Sequence, residues 1–184
     1  MAKVQVFNAR SITFNYDRTA DRIYLVLGDA KSELFHHAWI TRRYLQQLLP
    51  QVANWLDAGC PLLEDNKIPL TAAQKTRVAS FEHNAAKERI KTQKGPAPEN
   101  MAKQIDKSYL LRGLQLSNDA DLITLVLIDT QNQPVSGMKL SRNELHKLVS
   151  CLLDLANRVG WNIGSPWRSA GTVTIPADMN PAKH

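Results

Sequence analysis

A cluster of basic side chains between residues 67 and 112 is the feature that points most directly to chemistry. This stretch holds ten Lys or Arg and four Asp or Glu, and its net charge of +6 equals that of the whole 184-residue chain. Lysine and arginine at this density can neutralise the phosphates of DNA or RNA, with an affinity that falls as salt rises. The residues expected to do so are Lys75, Arg77, Lys87, Arg89, Lys91 and Lys94. A solvated helix face is the alternative interpretation of the same residues.

Arg42 and Arg142 indicate a second way to bind an anion. Each follows a predicted helix N-cap, so its guanidinium lies beside backbone amides that have no partner within the helix. Such an arrangement can hold a phosphate or a carboxylate, and Arg43 would add a further charge. The alternative is that the two arginines form ion pairs with turn aspartates, of which Asp21 and Asp121 are examples.

No arrangement of residues in the sequence predicts catalysis or a metal site. His36 and His37 are adjacent in a predicted strand, so their side chains point to opposite faces and cannot chelate one ion as neighbours. Cys60 and Cys151 form neither a CxxC unit nor a disulfide framework, which fits a reducing compartment and favours buried or inert thiols. The sequence also lacks the GxGxxG, GxSxG and HExxH motifs. We therefore predict a non-enzymatic protein without a cofactor or a metal.

A duplicated segment shows how the elements that carry these residues are organised. ADRIYLVLGD at residues 20–29 recurs as ADLITLVLID at residues 120–129, with seven of ten positions identical. The same offset relates residues of the following helices, which are Arg42, Leu45 and Leu48 in the first copy and Arg142, Leu145 and Leu148 in the second. Most of the shared positions are apolar, so the repeat indicates a common scaffold rather than a common site.

Each copy of the repeat predicts three strands followed by one helix. Alternating apolar and polar residues are typical of half-buried strands, and the duplicated run is apolar on both faces, as in a central strand. The helices begin after Thr41 and Ser141 and end at Gly59 and Gly160, and Pro50 predicts a kink in the first. The sequence therefore predicts an α+β fold of two tandem β-β-β-α repeats. We expect antiparallel sheets, each covered by a helix, in one pseudo-symmetric body with either a shared sheet or two sheets face to face.

The predicted boundaries follow the repeat. The segments are residues 1–60 for the first repeat, 61–108 for a basic helix and flexible linker, 109–160 for the second repeat, and 161–184 for a C-terminal extension with an edge strand and a tail. The basic helix spans residues 70–91, and its predicted apolar stripe consists of Val78, Phe81 and Ala85.

Composition limits the classes of function that remain. The chain is 43% hydrophobic and 22% charged, and it has no apolar run near the ~20 residues of a membrane span. We expect a cytoplasmic protein that binds DNA or RNA through the basic segment, without membrane contact. The alternative is a protein–protein adaptor or assembly factor, and a homodimer would extend the symmetry. The adaptor would make its contacts through strand edges and through the tryptophans Trp39, Trp55, Trp161 and Trp167.

Overall fold

The computed structural model describes residues 6–29, 34–60, 70–91, 105–119 and 121–167. These residues form a mixed α+β fold with seven strands and three helices. In chain order they are β1 (Phe7–Asn8), β2 (Ser11–Asp17), β3 (Arg22–Gly28), β4 (Phe35–Ile40), α1 (Arg42–Ala58), α2 (Ala72–Arg89), β5 (Ile105–Asp119), β6 (Leu122–Asp129), β7 (Pro134–Leu140) and α3 (Arg142–Arg158).

All seven strands belong to one sheet, in the order β1-β7-β6-β5-β4-β3-β2. The antiparallel meanders expected in each copy are present as β2-β3-β4 and β5-β6-β7. Of the two expected arrangements, the shared sheet is present, but it is mixed rather than wholly antiparallel, because β4 pairs with β5 and β1 pairs with β7 in parallel. These two parallel junctions join the meanders, so the sheet is larger than the sequence pattern indicates.

The segment from β1 to β2 touches both edges of this sheet. β1 pairs with β7, and β2 pairs with β3. Between them the backbone N–H of Ala9 donates to the carbonyl of Gly137 at 2.8 Å, and that of Arg10 donates to the carbonyl of Gly28 at 2.7 Å. The sheet therefore curves until its edges meet at this corner. Strand β5 changes partner along its length: it pairs with β4 up to Leu110 and with β6 from Leu111, next to a register shift between Leu111 and Gly113.

One apolar core lies between the curved sheet and the helices. The duplicated strands contribute Ile23, Leu25 and Leu27 from β3 and Ile123, Leu125 and Leu127 from β6, all of them buried. The apolar stripes of α1 and α3 bury their leucines in the same continuous cluster. The positions that the two copies share are thus mainly positions of the core.

Both predicted N-caps are confirmed. The Thr41 hydroxyl accepts the N–H of Tyr44 at 3.2 Å, and the Ser141 hydroxyl accepts the N–H of Glu144 at 3.3 Å. The α3 cap is reinforced because the Glu144 carboxylate accepts the Ser141 N–H at 2.7 Å. After α3, Gly160 adopts a φ of 83°, a left-handed conformation that suits glycine at the end of a helix. α1 continues through Pro50 to Ala58.

Helix α2 packs against α3, but not through the predicted stripe. Its buried residues are Ala79, His83 and Ala86, whereas Phe81 is 68% exposed. The prediction failed because small alanines allow two helices to approach closely. A hydrophobicity pattern gives alanine less weight than phenylalanine, so it placed Phe81 in the contact. Within the described part of the chain, every helix is too short or too polar to cross a bilayer. The predicted linker and C-terminal edge strand lie outside the described residues.

Candidate functional site

The basic residues of α2 are exposed, but they do not form one stripe. Lys75, Arg77, Lys87 and Arg89 all face solvent, as does Lys91 after the helix. Successive helical residues are rotated by about 100°, so Arg77 lies on the far side from the buried face while Lys87 and Arg89 lie on opposite flanks. Lys75 and Lys87 are also about 18 Å apart along the axis. Lys94 lies outside the described residues.

The C-terminal end of α2 is tied to α3 by two polar contacts. Lys87 Nζ lies 3.4 Å from Asp154 Oδ2, and both side chains are partly exposed. Lys147 Nζ donates to the backbone carbonyl of Lys87 at 3.1 Å. Part of the basic charge of this helix is therefore balanced within the fold.

The guanidinium of Arg142 forms hydrogen bonds within the protein. It forms a two-point contact with Glu82, with Nη2 donating to Oε2 at 2.9 Å, and Nη2 also donates to the carbonyl of Leu56 at the end of α1. Burial raises the pKa of Glu82, but the hydrogen bonds from Arg142 outweigh it and hold this pKa well below the usual range. The partner of Arg142 is thus an α2 glutamate rather than a turn aspartate, and Arg142 joins all three helices.

Arg42 and Arg43 are exposed at the start of α1. The turn aspartate on which Arg42 acts is Asp21, whose Oδ1 accepts hydrogen bonds from Trp161 Nε1 at 2.8 Å and from the Tyr16 hydroxyl at 2.7 Å. These bonds, helped by the charge of Arg42, lower the pKa of Asp21. Arg42 therefore has an electrostatic partner, while its guanidinium remains at the surface.

A row of aromatic rings lies on the sheet face opposite the apolar core. Tyr24 of β3 is 4.9 Å from Trp39 and 5.2 Å from His37 of β4, measured between ring centroids. All three side chains are partly exposed, and Trp39 Nε1 donates to the Ser108 hydroxyl at 2.7 Å. Burial lowers the pKa of His37, which favours its neutral form. We call Tyr24, His37 and Trp39 the aromatic row.

Arginines lie at one end of the aromatic row. Arg22 precedes Tyr24 by two positions on β3, so the two side chains share a face of the sheet. Ile23 pairs with Ile40, the last residue of β4, and Arg42 and Arg43 follow after the N-cap Thr41. The aromatic row was missed in the sequence because its strands are joined through residues 29–34 and only the pairing register brings the rings together.

His36 points to the other face of β4, as predicted. It is 5% exposed, its Nδ1 is 2.8 Å from the Ser136 hydroxyl, and its Nε2 is 3.3 Å from Asp106 Oδ2. Its ring stacks on Phe7 at 4.0 Å. In the described ranges, no three or more His, Cys, Asp or Glu side chains are placed to hold a metal.

A cleft of about 640 Å³ opens between α2, α3 and residues 161–167. Its wall is rich in hydroxyl and amide groups. The polar lining residues are Ser80, His83, Asn84, Lys87, Ser150, Asp154, Asn157, Asn162 and Ser165, together with the indole of Trp167. This cleft could not be predicted from the sequence because its residues come from three separate segments of the chain with no common motif.

His83 lines this cleft, and a second buried histidine, His146, lies behind it. His83 Nδ1 lies 3.3 Å from His146 Nδ1, and the His83 ring stacks on Trp167 with 4.0 Å between centroids. His146 Nε2 lies 3.6 Å from Glu82 Oε2, which is close enough for electrostatic attraction but too long for a hydrogen bond. Burial and the neighbouring His146 lower the pKa of His83 to about 4.

The structure thus offers two surfaces with organised side chains, the aromatic row with its arginines and the polar cleft. Neither could be assigned from similarity. Comparison of the chain with protein-family models, with curated proteins and with solved structures found no significant match.

Proposed function

We propose that this chain is a non-enzymatic nucleic-acid-binding protein and that the aromatic row is its platform for unpaired bases. The observation that carries the proposal is the side-by-side placement of Tyr24, His37 and Trp39 on an outward sheet face. Every base has a π-face, so aromatic rings in a row can stack successive bases of a single strand without reading its sequence.

The phosphates of such a strand would meet the cations at the end of the row. Arg22, Arg42 and Arg43 are exposed there. The basic residues of α2 and the following segment would extend this contact as a second, diffuse site. That second group consists of Lys75, Arg77, Lys87, Arg89, Lys91 and Lys94. Arg142 contributes to folding instead, because its guanidinium already binds Glu82.

We also propose that the body is pseudo-symmetric, with two halves related by a two-fold axis. The parallel junctions support this. His36 pairs with Lys107, and Phe7 pairs with Ser136. Because the repeat offset is 100, Ser136 is equivalent to His36 and Lys107 to Phe7, so the two junctions pair equivalent positions of opposite copies. The aromatic row has no counterpart in the second half, where the equivalent residues are Thr124, Gly137 and Lys139. The proposed base-binding surface therefore belongs to one half alone.

The second candidate function is a protein–protein adaptor, which one observation favours. Phe81 is 68% exposed on the face of α2 that points away from α3. An aromatic side chain exposed to this degree is typical of an anchor in a protein interface. The Phe81→Ala variant separates the two candidates, because Phe81 lies outside the aromatic row.

The test is a titration of the protein with single-stranded and double-stranded DNA and RNA at several salt concentrations. We expect tighter binding to single strands, and an affinity that falls steeply as salt rises from about 50 mM. Fluorescence anisotropy of a labelled oligonucleotide measures the affinity for each type of strand and its dependence on salt. Absence of binding at about 50 mM salt would overturn the proposal.

A further inference from the structure

The cleft between α2, α3 and residues 161–167 has the dimensions of a small-molecule site. Its volume of about 640 Å³ lies within the roughly 300–1,000 Å³ that ligand pockets in proteins enclose. Leu153 and Ile163 supply apolar surface, and hydroxyl and amide side chains supply both donors and acceptors. This mixture suits a ligand with apolar faces and polar edges.

The wall of the cleft is held rigidly by a chain of buried side chains. Arg142 binds Glu82, Glu82 attracts Nε2 of His146, and Nδ1 of His146 faces Nδ1 of His83 at 3.3 Å. Trp167 stacks on the other side of this arrangement, against His83, and its Nε1 donates to Asp57 at 3.0 Å. A side chain fixed on several sides presents one defined group to a ligand.

Charge balance indicates which group that is. Arg142 and Glu82 cancel, and burial keeps the His83 imidazole neutral at pH 7 because it lowers the pKa of His83 to about 4. The Glu82 carboxylate favours a proton on the facing Nε2 of His146. The Nδ1 of His146 then accepts the N–H of His83 Nδ1, and Nε2 of His83 is left with a lone pair. His83 therefore offers a hydrogen-bond acceptor.

The rim of the cleft carries no net charge either. Lys87 and Asp154 lie 3.4 Å apart and balance each other. Both are partly exposed, and surface ion pairs of this kind contribute little to stability, so their polar atoms can turn to a ligand at low cost. A cleft with balanced charge favours a neutral molecule over an anion or a cation.

We propose that this cleft binds a neutral molecule with several hydroxyl groups, either a free sugar or the ribose of a nucleoside. Its hydroxyls donate to His83 Nε2 and to the Asp154 carboxylate, and they accept from the side-chain amide of Asn84. The buried Ser150 hydroxyl adds a contact at the bottom of the cleft. The site is separate from the aromatic row, so it stands whether or not the chain binds nucleic acid.

The experiment is isothermal titration calorimetry of the full chain with ribose, glucose, maltose and adenosine. We expect saturable binding of at least one of them, and the pattern among the four distinguishes a free sugar from a nucleoside. Asp154→Ala and Ser150→Ala should each weaken that binding about fivefold to tenfold, as the removal of one hydrogen bond does. Asp119→Ala is the matched control, because Asp119 is a similarly exposed aspartate paired with a lysine outside the cleft, and this variant should bind as the unaltered chain does.

Two results would overturn the proposal. One is the absence of saturable binding for all four molecules, and the other is binding that neither variant weakens. Asp154 is 57% exposed, so Asp154→Ala is expected to fold and keeps the test valid if Ser150→Ala is destabilised. Nitrogen-15 spectra of His83 provide a second measurement, because its Nε2 signal should shift with the bound ligand.

Discussion

His36 and Ser136 lie 100 positions apart in the chain and contact each other, with 2.8 Å between Nδ1 and Oγ in the buried interior. The offset equals the offset of the sequence repeat, so equivalent positions of the two copies meet. Residues contact their own symmetry equivalents only near a two-fold axis. This contact and the two parallel junctions are the physical basis for the proposed pseudo-symmetry.

Replacing Ser136 by alanine should destabilise the protein by about 1–3 kcal/mol, because the buried Nδ1 of His36 loses its partner. The free energy of unfolding from urea titration measures the effect. Ser117→Ala is the matched control, since Ser117 is exposed on β5, and it should change that free energy by less than about 0.5 kcal/mol. Equal decreases in the free energy of unfolding for the two substitutions would show that the contact between His36 and Ser136 does not stabilise the protein.

The features of the fold that sequence predicted correctly are local ones. Thr41 and Ser141 act through amides three residues away, and the apolar alternation of the duplicated strands depends on the period of the chain alone. The parallel pairing of His36 with Lys107 could not be predicted in this way. It joins segments 71 positions apart, and a strand pattern does not specify which other strand will lie beside it.

Trp39→Ala should weaken binding to single-stranded nucleic acid by about 1–3 kcal/mol, because one stacking ring of the aromatic row is removed. The side chain is partly exposed, so the variant should fold, and circular dichroism can confirm this. Phe81→Ala is the matched control with the same assay. An unchanged affinity for Trp39→Ala, with weaker capture of a protein partner by Phe81→Ala, would favour the adaptor function instead.

The arginines at the end of the aromatic row should determine the salt dependence. Replacing Arg42 and Arg43 with glutamine should reduce the slope of log affinity against log salt by about one for each phosphate that the protein no longer neutralises. The matched control replaces Lys75 and Arg77 of α2 in the same way. A larger reduction in the α2 variant would place the main phosphate-binding site on the helix, as the distribution of charge in the sequence predicts.

The contacts among the side chains behind the cleft could not be predicted from the sequence, because they join residues of two different helices. Glu82 and His83 lie in α2, and Arg142 and His146 lie in α3, some sixty positions later. In the sequence of either helix these residues look like ordinary polar positions. They contact one another only because the alanines of α2 allow the two helices to pack closely. The ion pair that was the alternative interpretation of Arg142 is therefore present, with Glu82 as the partner in place of a turn aspartate.

Arg142→Gln should lower the free energy of unfolding by about 3–5 kcal/mol, because it leaves the Glu82 carboxylate buried without its cation. Urea titration at pH 7 measures this decrease. The double variant Glu82→Gln with Arg142→Gln should be more stable than Arg142→Gln alone, since it also removes the unpaired charge. Arg43→Gln, at an exposed site, is the control and should have little effect.

Acidification should destabilise the protein through His83 before the carboxylates titrate. The folded pKa of His83 is lowered to about 4 from 6.5, so the unfolded chain binds this proton more readily at every pH between those values. Stability is then fully present above pH 6.5 and falls by up to roughly 3 kcal/mol as the pH decreases towards 4. Glu82, whose folded pKa is also depressed, adds a further decrease only below its unfolded value of 4.5. Unfolding titrations at pH 7, 6, 5 and 4.5 measure the slope, and His83→Gln should flatten it over this range. A variant with the same slope as the unaltered chain would show that another group carries the pH dependence.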